Sequence, residues 1–184
     1  MSSLNLGRLL VFGLVGLLAA CDDAPVTGAP GPEPERTAHA ALQSPEEMDV
    51  GYVMFTQTGE GPVGVSIVIT DGQTPGDHGV HVHEIGKCDP PDFMSAGDHW
   101  NPTMMPHGGP FAPEHHAGDF GNVTVQENST GKAELVSNEI SLEDGAANSI
   151  LGLSVIFHAN PDDLVTQMPP GNAGARLACG IIMP

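Results

Sequence analysis

Positive charge is what this sequence has least of. Five lysines and arginines stand against 23 aspartates and glutamates in 184 residues, a formal net charge of −18. A chain this acidic lacks the basic face that nucleic-acid binding needs, and electrostatic attraction to an anionic lipid surface is excluded on the same ground. Long apolar runs are missing after the first twenty residues, and no stretch carries a long helical stripe of apolar side chains. Cysteine is scarce too, with only Cys21, Cys88 and Cys179.

A single positive charge, Arg8, precedes an apolar run from Leu9 to Ala20. The run is too short to span a membrane and reads as a secretory leader over residues 1–20. It ends Leu18-Ala19-Ala20-Cys21. This resembles the bacterial lipoprotein signal, in which the leader is removed before the cysteine and the thiol receives lipid. Ordinary cleavage leaving a free thiol is the alternative. Lipid on Cys21 would anchor the chain to a membrane of a bacterial cell envelope, in a periplasmic or other extracytoplasmic setting. It would also account for the odd cysteine. Cys88 and Cys179 then remain as a pair in an oxidising compartment. Loss of Arg8 with the leader takes the net charge from −18 to −19. Residues 21–36 are dense in proline and glycine and read as a disordered tether.

Residues 37–184 read as one domain. Val63, Val65, Ile67 and Ile69 alternate with Gly64, Ser66, Val68 and Thr70, the period of a strand with one buried face. Val50–Gln57 repeats the pattern, and Gly59-Glu60-Gly61-Pro62 supplies the turn between them. Further strands are expected around His81 and His83, at Asn122–Glu127, Gly131–Val136, Ser149–His158 and Arg176–Ile182. One near Thr37–Leu42 makes eight. The fold class is all-β: an eight-stranded Greek-key sandwich or flattened barrel. Residues 86–121 form a long segment without periodicity, and such loops inside a small domain are usually functional.

Seven of the nine histidines lie between His78 and Asn122. On a strand, His81 and His83 point to one face while Val80 and Val82 point to the other. They are followed by His99, His107, His116 and Asp119, and later by His158 in a β-branched run. Such a cluster suits zinc or copper. His107, His116 and Asp119, with one more histidine, would make a closed tetrahedral zinc site. His81, His83 and His158 come from strands, and four imidazoles in a tetragonal arrangement suit copper. Seven ligands are one short of two four-coordinate ions, unless one imidazolate bridges both.

Five motifs make a specific resemblance. They are Gly79-Val80-His81-Val82-His83-Glu84, Ser95-Ala96-Gly97-Asp98-His99-Trp100-Asn101-Pro102, His107-Gly108-Gly109-Pro110, His116-Ala117-Gly118-Asp119-Phe120-Gly121-Asn122 and Gly171-Asn172-Ala173-Gly174-Ala175-Arg176-Leu177-Ala178-Cys179-Gly180. In this order and near this spacing, they resemble copper/zinc superoxide dismutase over residues 37–184. The resemblance implies one copper per subunit on His81, His83, His99 and His158. It implies one zinc on His99, His107, His116 and Asp119, with His99 bridging the two. It implies a disulfide between Cys88 and Cys179, a long metal-binding loop and a shorter channel loop. Asp162 matches the carboxylate that links His81 to His107, and Arg176 matches the arginine at the copper channel. Val80, Leu153 and His115 depart from the family's usual residues without removing a ligand. His39, His78 and His115 are read as non-ligands.

The implied activity is dismutation of superoxide to dioxygen and hydrogen peroxide, with copper alternately reduced and oxidised. His99 and Arg176 are the expected catalytic side chains, and the implied role is extracytoplasmic antioxidant defence. The alternative is a copper-binding or buffering module of the same fold without turnover. A homodimer is among the implied assemblies, with Ile181, Ile182 and Met183 as an apolar hint of a contact.

Overall fold

Alternation of apolar and polar residues builds every wall of the domain. In the computed structural model, residue 31 and residues 33–184 are described. The leader, Cys21 and most of the tether lie outside them. Eight strands follow in order: β1 Glu35–Gln43, β2 Asp49–Thr58, β3 Val63–Ile69, β4 Gly76–His83, β5 Asp119–Val125, β6 Gly131–Ser137, β7 Ser154–His158 and β8 Arg176–Ile181. A short 3-10 turn, Met94–Ala96, sits between β4 and β5. All neighbouring strands are antiparallel, and they close into a barrel in the order β1-β2-β3-β6-β5-β4-β7-β8. The connections β3 to β4 and β6 to β7 therefore cross between non-neighbours, which is the Greek-key feature.

The period-two pattern dictates what fills the barrel. Ala38, Ala40 and Leu42 of β1, Val53 and Phe55 of β2, and Val63, Val65, Ile67 and Ile69 of β3 all point inward and are buried. Phe55 meets Phe120 with ring centroids 6.2 Å apart. β4 and β7 differ from the others because both of their faces are covered. Val80 and Val82 enter the core, while His81 and His83 point outward and are still 0% and 1% exposed.

The cover is the segment 84–118, which folds back along β4. The Trp100 N–H donates to the Val82 carbonyl (2.8 Å), the Val82 N–H to Gly118 (2.9 Å) and the Glu84 N–H to Asp98 (3.0 Å). Gly118 is needed at this crossing, because a Cβ there would stand 2.6 Å from the Val82 carbonyl oxygen. The Cys88–Cys179 disulfide ties the same segment to β8.

Three strands start elsewhere than the sequence pattern indicates. β5 begins at Asp119 rather than Asn122, because Asp119 pairs with His81 across β4 and β5. β7 begins at Ser154 rather than Ser149, because Gly152 (φ 80°) makes a turn there. β1 begins at Glu35, inside the span read as tether. Of the three C-terminal residues read as an apolar hint of a contact, Ile182 is fully buried in the core, while Ile181 and Met183 are exposed.

The disulfide joins residues 91 apart, and restraint of the unfolded chain by such a bridge is worth about 4–5 kcal/mol. Reduction is expected to lower the melting temperature by about 10–15 °C. Calorimetry with and without a thiol reductant measures it, and an unchanged transition would show that the bridge restrains little.

Candidate metal centre

The outward face of β4 carries His81 and His83, and β7 brings His158 beside them because its last residues pair with β4 and β8. The loop supplies His99, whose backbone bridges to His83. Ring nitrogens of these four buried residues lie within 4.8 Å of one another. A second group, His99, His107, His116 and Asp119, meets the same limit and shares His99 with the first.

Hydrogen bonding sets which nitrogen each ring offers. The Nδ1–H of His83 donates to the Gly97 carbonyl at 2.9 Å and that of His158 to the Gly174 carbonyl at 3.3 Å. His81 is turned the other way, with Nε2–H donating to Asp162 Oδ2 at 2.8 Å. What remains is His81 Nδ1, His83 Nε2 and His158 Nε2, all buried and all without a partner. Buried polar atoms are nearly always paired, and an orphan costs roughly 1–3 kcal/mol. Three facing one place are explained by a cation that accepts three lone pairs.

The second group has the same character. His107 Nδ1 and His116 Nδ1 are also orphaned. They stand 2.9 and 3.2 Å from the oxygens of Asp119, yet neither is aimed to make a hydrogen bond. Donor atoms packed this closely but pointing at a common centre match the edges of a metal tetrahedron, roughly 3.3 Å for bonds near 2.0 Å. His99 Nδ1 lies 2.9 Å from Asp119 Oδ1, so its Nε2 is the atom left for the first group. Asp119 is held by the loop itself, its Oδ2 accepting from the backbone N–H groups of His116 (3.0 Å) and Gly108 (3.2 Å).

Asp162 connects the groups. Its Oδ2 accepts from His81 and its Oδ1 from His107 Nε2, 2.9 Å away. Such a carboxylate fixes ring orientation and tautomer. Gly171 leaves it room, since a side chain there, already disfavoured at φ 64°, would strike both the Asp162 carboxylate and the His107 ring.

The electrostatics divide the histidines. Burial, then the neighbouring rings, drives His83 and His158 well below the ordinary histidine range, and His99 falls to about 4 for the same reasons. These rings are neutral at neutral pH and their lone pairs are available. Burial pushes His107 down as well, but the Asp119 carboxylate beside it and its hydrogen bond to Asp162 outweigh that and hold it at about 9. Burial would raise both carboxylates, and their histidine partners instead hold them well below the usual range. A cation entering the second group therefore displaces protons.

A cavity of about 260 Å³ opens onto the first group, with Met94, Asp98 and Arg176 on its wall beside His83, His99 and His158. Arg176 donates from Nη1 to the Phe93 carbonyl (2.8 Å) and from Nη2 to the Gly97 carbonyl (2.7 Å). Among the described residues it makes no ion pair.

Every sequence-identified ligand position thus falls in one of the two groups, with Asp162 between them and Arg176 at the opening. His39, His78 and His115 fall in neither. Three supporting residues went unread. His78, buried against Phe157, bonds the His158 carbonyl at 2.8 Å. Asn122 clasps the backbone of Asp162, accepting at 2.7 Å and donating at 2.9 Å. Gln167 does the same for His107, at 2.8 and 2.9 Å. Asn122 ends one of the quoted motifs and His78 directly precedes another, the one signal each carried; Gln167 carried none.

Residues 50–182 match the family described as copper/zinc superoxide dismutase. Among solved structures, the chain is similar to a double mutant of a SOD-like protein from Bacillus subtilis. The two are 32% identical with a TM-score of 0.69, and the match covers 79% of this chain and 97% of that one.

Asp162→Asn is expected to weaken metal retention at both groups by about 10–100-fold, because an amide oxygen cannot accept from both rings as the carboxylate does. Competition against a graded series of chelators measures the loss. Wild-type affinity in the variant would show that Asp162 does not orient the rings.

Proposed function

The chain belongs to the copper/zinc superoxide dismutase family, and from that membership we propose that it dismutates superoxide in the bacterial cell envelope. The observation that carries the reading is the set of five buried, partnerless ring nitrogens spread over two groups that share His99. Copper on His81, His83, His99 and His158 would supply the electron exchange, and zinc on His99, His107, His116 and Asp119, which does no redox chemistry, would fix the geometry.

The side chains supply the rest. His83 and His158 are held by backbone carbonyls and His81 by Asp162, so these three rings would hold a bound ion in fixed directions. His99 can hold a proton on Nε2 and release it to the reacting oxygen, since reduction of superoxide to peroxide consumes protons. Arg176 is bound by carbonyls rather than carboxylates, so its charge is free to meet an incoming anion. Asp98 on the same cavity wall opposes it.

With a net charge of −18, the whole molecule repels superoxide. Attraction has to be local, within a Debye length of roughly 8 Å at physiological salt. Tethering to a membrane through lipid on Cys21 belongs to the same proposal, supported by the leader that ends Ala19-Ala20-Cys21.

Metal analysis with a superoxide assay tests the function. Equimolar copper and zinc with rapid turnover is the expected result. Zinc alone without activity sinks the reading, and both metals without turnover leaves the copper-buffering module. Arg176→Ala is expected to lower kcat/KM about tenfold or more at low salt while both metals stay bound; an unchanged rate refutes local guidance. Added salt should raise the wild-type rate or leave it flat, because it screens the repulsive net charge. For the anchor, Cys21→Ser is expected to abolish fatty-acid labelling and release the protein from the membrane fraction. Persistent labelling would overturn that part.

A further inference from the structure

Every methionine among the described residues is exposed. Met48, Met54, Met94, Met104, Met105, Met168 and Met183 range from 37% to 88% exposure. Methionine ordinarily fills core gaps, and the core of this barrel uses none. One of these thioethers stands at a chemically distinctive place. Met94 begins the 3-10 turn Met94–Ala96, is 62% exposed, and lies on the wall of the cavity that also holds His83, His99 and His158. The turn is held in place: Phe93 beneath it is buried, and the Phe93 carbonyl accepts from Arg176. Deeper in the cavity, His83 Nε2 and His158 Nε2 are buried and without partners.

We propose that Met94 is a capture ligand for Cu(I), taking the ion at the cavity mouth and passing it inward to His83 and His158. The inference rests on the copper reading above. A thioether is a soft, uncharged donor that favours Cu(I) and discriminates against zinc and other harder cations. It therefore sorts ions before they reach imidazoles that would accept several of them. The transfer balances without redox chemistry. A copper–sulfur bond forms as a soft donor ligand of the delivering molecule leaves. That bond breaks as His83 Nε2 and His158 Nε2 bond the ion. Copper stays Cu(I), and neither the thioether nor the two nitrogens loses a proton. Asp98 on the same wall adds a negative charge that favours a cation entering.

The experiment uses the full chain prepared without copper, with its disulfide intact. Cu(I) is presented anaerobically as a coloured bicinchoninate complex, and loss of colour times the transfer. Met94→Leu keeps volume and apolarity but removes the sulfur. It is expected to slow Cu(I) transfer about tenfold, the factor that about 1.4 kcal/mol of lost capture affinity gives. Final copper content and the rate of Cu(II) uptake should stay as in the wild type. Met183→Leu, outside the cavity, should change nothing. Unchanged Cu(I) transfer in Met94→Leu overturns the proposal. So does equal slowing of Cu(II), which would show that the side chain only shapes the cavity. A wild-type chain that takes up no copper at all overturns the copper reading itself, an outcome visible before any variant is made.

Discussion

A buried imidazole nitrogen without a partner costs roughly 1–3 kcal/mol, and this fold gathers five of them. The surrounding structure exists to hold them in that unfavourable arrangement. Backbone carbonyls of Gly97 and Gly174 occupy one nitrogen of His83 and of His158. Asp162 occupies one nitrogen of His81 and one of His107. Each of these bonds leaves the opposite nitrogen bare and pointed inward. The arrangement is stable only on a rigid frame, and the barrel is that frame, with β4 and β7 packed on both faces.

The same constraint explains the loops. A strand pair exposes one face to solvent unless something covers it. Here segment 84–118 covers the histidine face and adds His99, His107 and His116 to the two groups while doing so. Its attachment is distributed over backbone bonds to Val82 and Glu84, the disulfide to β8, and the Asp119 carboxylate that binds the loop's own N–H groups. Gln167 then fastens the loop after β7 to His107, and Asn122 of β5 fastens the same loop at Asp162. Two loops far apart in sequence are thereby held in one geometry. The charge distribution follows a different logic. The chain is strongly acidic overall, yet the cavity places a single guanidinium beside the first group and gives it neutral partners. Its sign is felt over the short range where an anion would react, and Asp98 limits it even there.

Much of this was legible in the residues. Alternation located the strands, and the histidine spacing on β4 put His81 and His83 on one face and Val80 and Val82 on the other. The motifs marked the residues that gather in the two groups and the cysteine pair. Boundaries were less legible. Asp119 looked like a loop residue because it falls in the aperiodic segment 86–121, and its cross-strand pairing with His81 is invisible without the partner strand. Ile182 was grouped with Ile181 and Met183 as an apolar hint of a contact, but barrel closure buries it. His78, Asn122 and Gln167 act through carbonyls and amides of residues distant in sequence, and no local pattern records such bonds.

The sequence by itself determined the chemistry available: six imidazoles and a carboxylate able to bind a metal, one cysteine pair, a period-two scaffold and a strongly negative charge. Only the tertiary structure decided how that chemistry is divided. Which nitrogen each ring presents depends on what bonds the other one, and those partners, Gly97, Asp162 and Gly174, come from different loops. His99 serves two groups because folding places it between them, with Asp119 at one nitrogen. Met94 faces the same cavity because the loop carrying it is folded back over β4. Residue types are local properties of the chain, whereas the direction of a lone pair is a property of the packed fold.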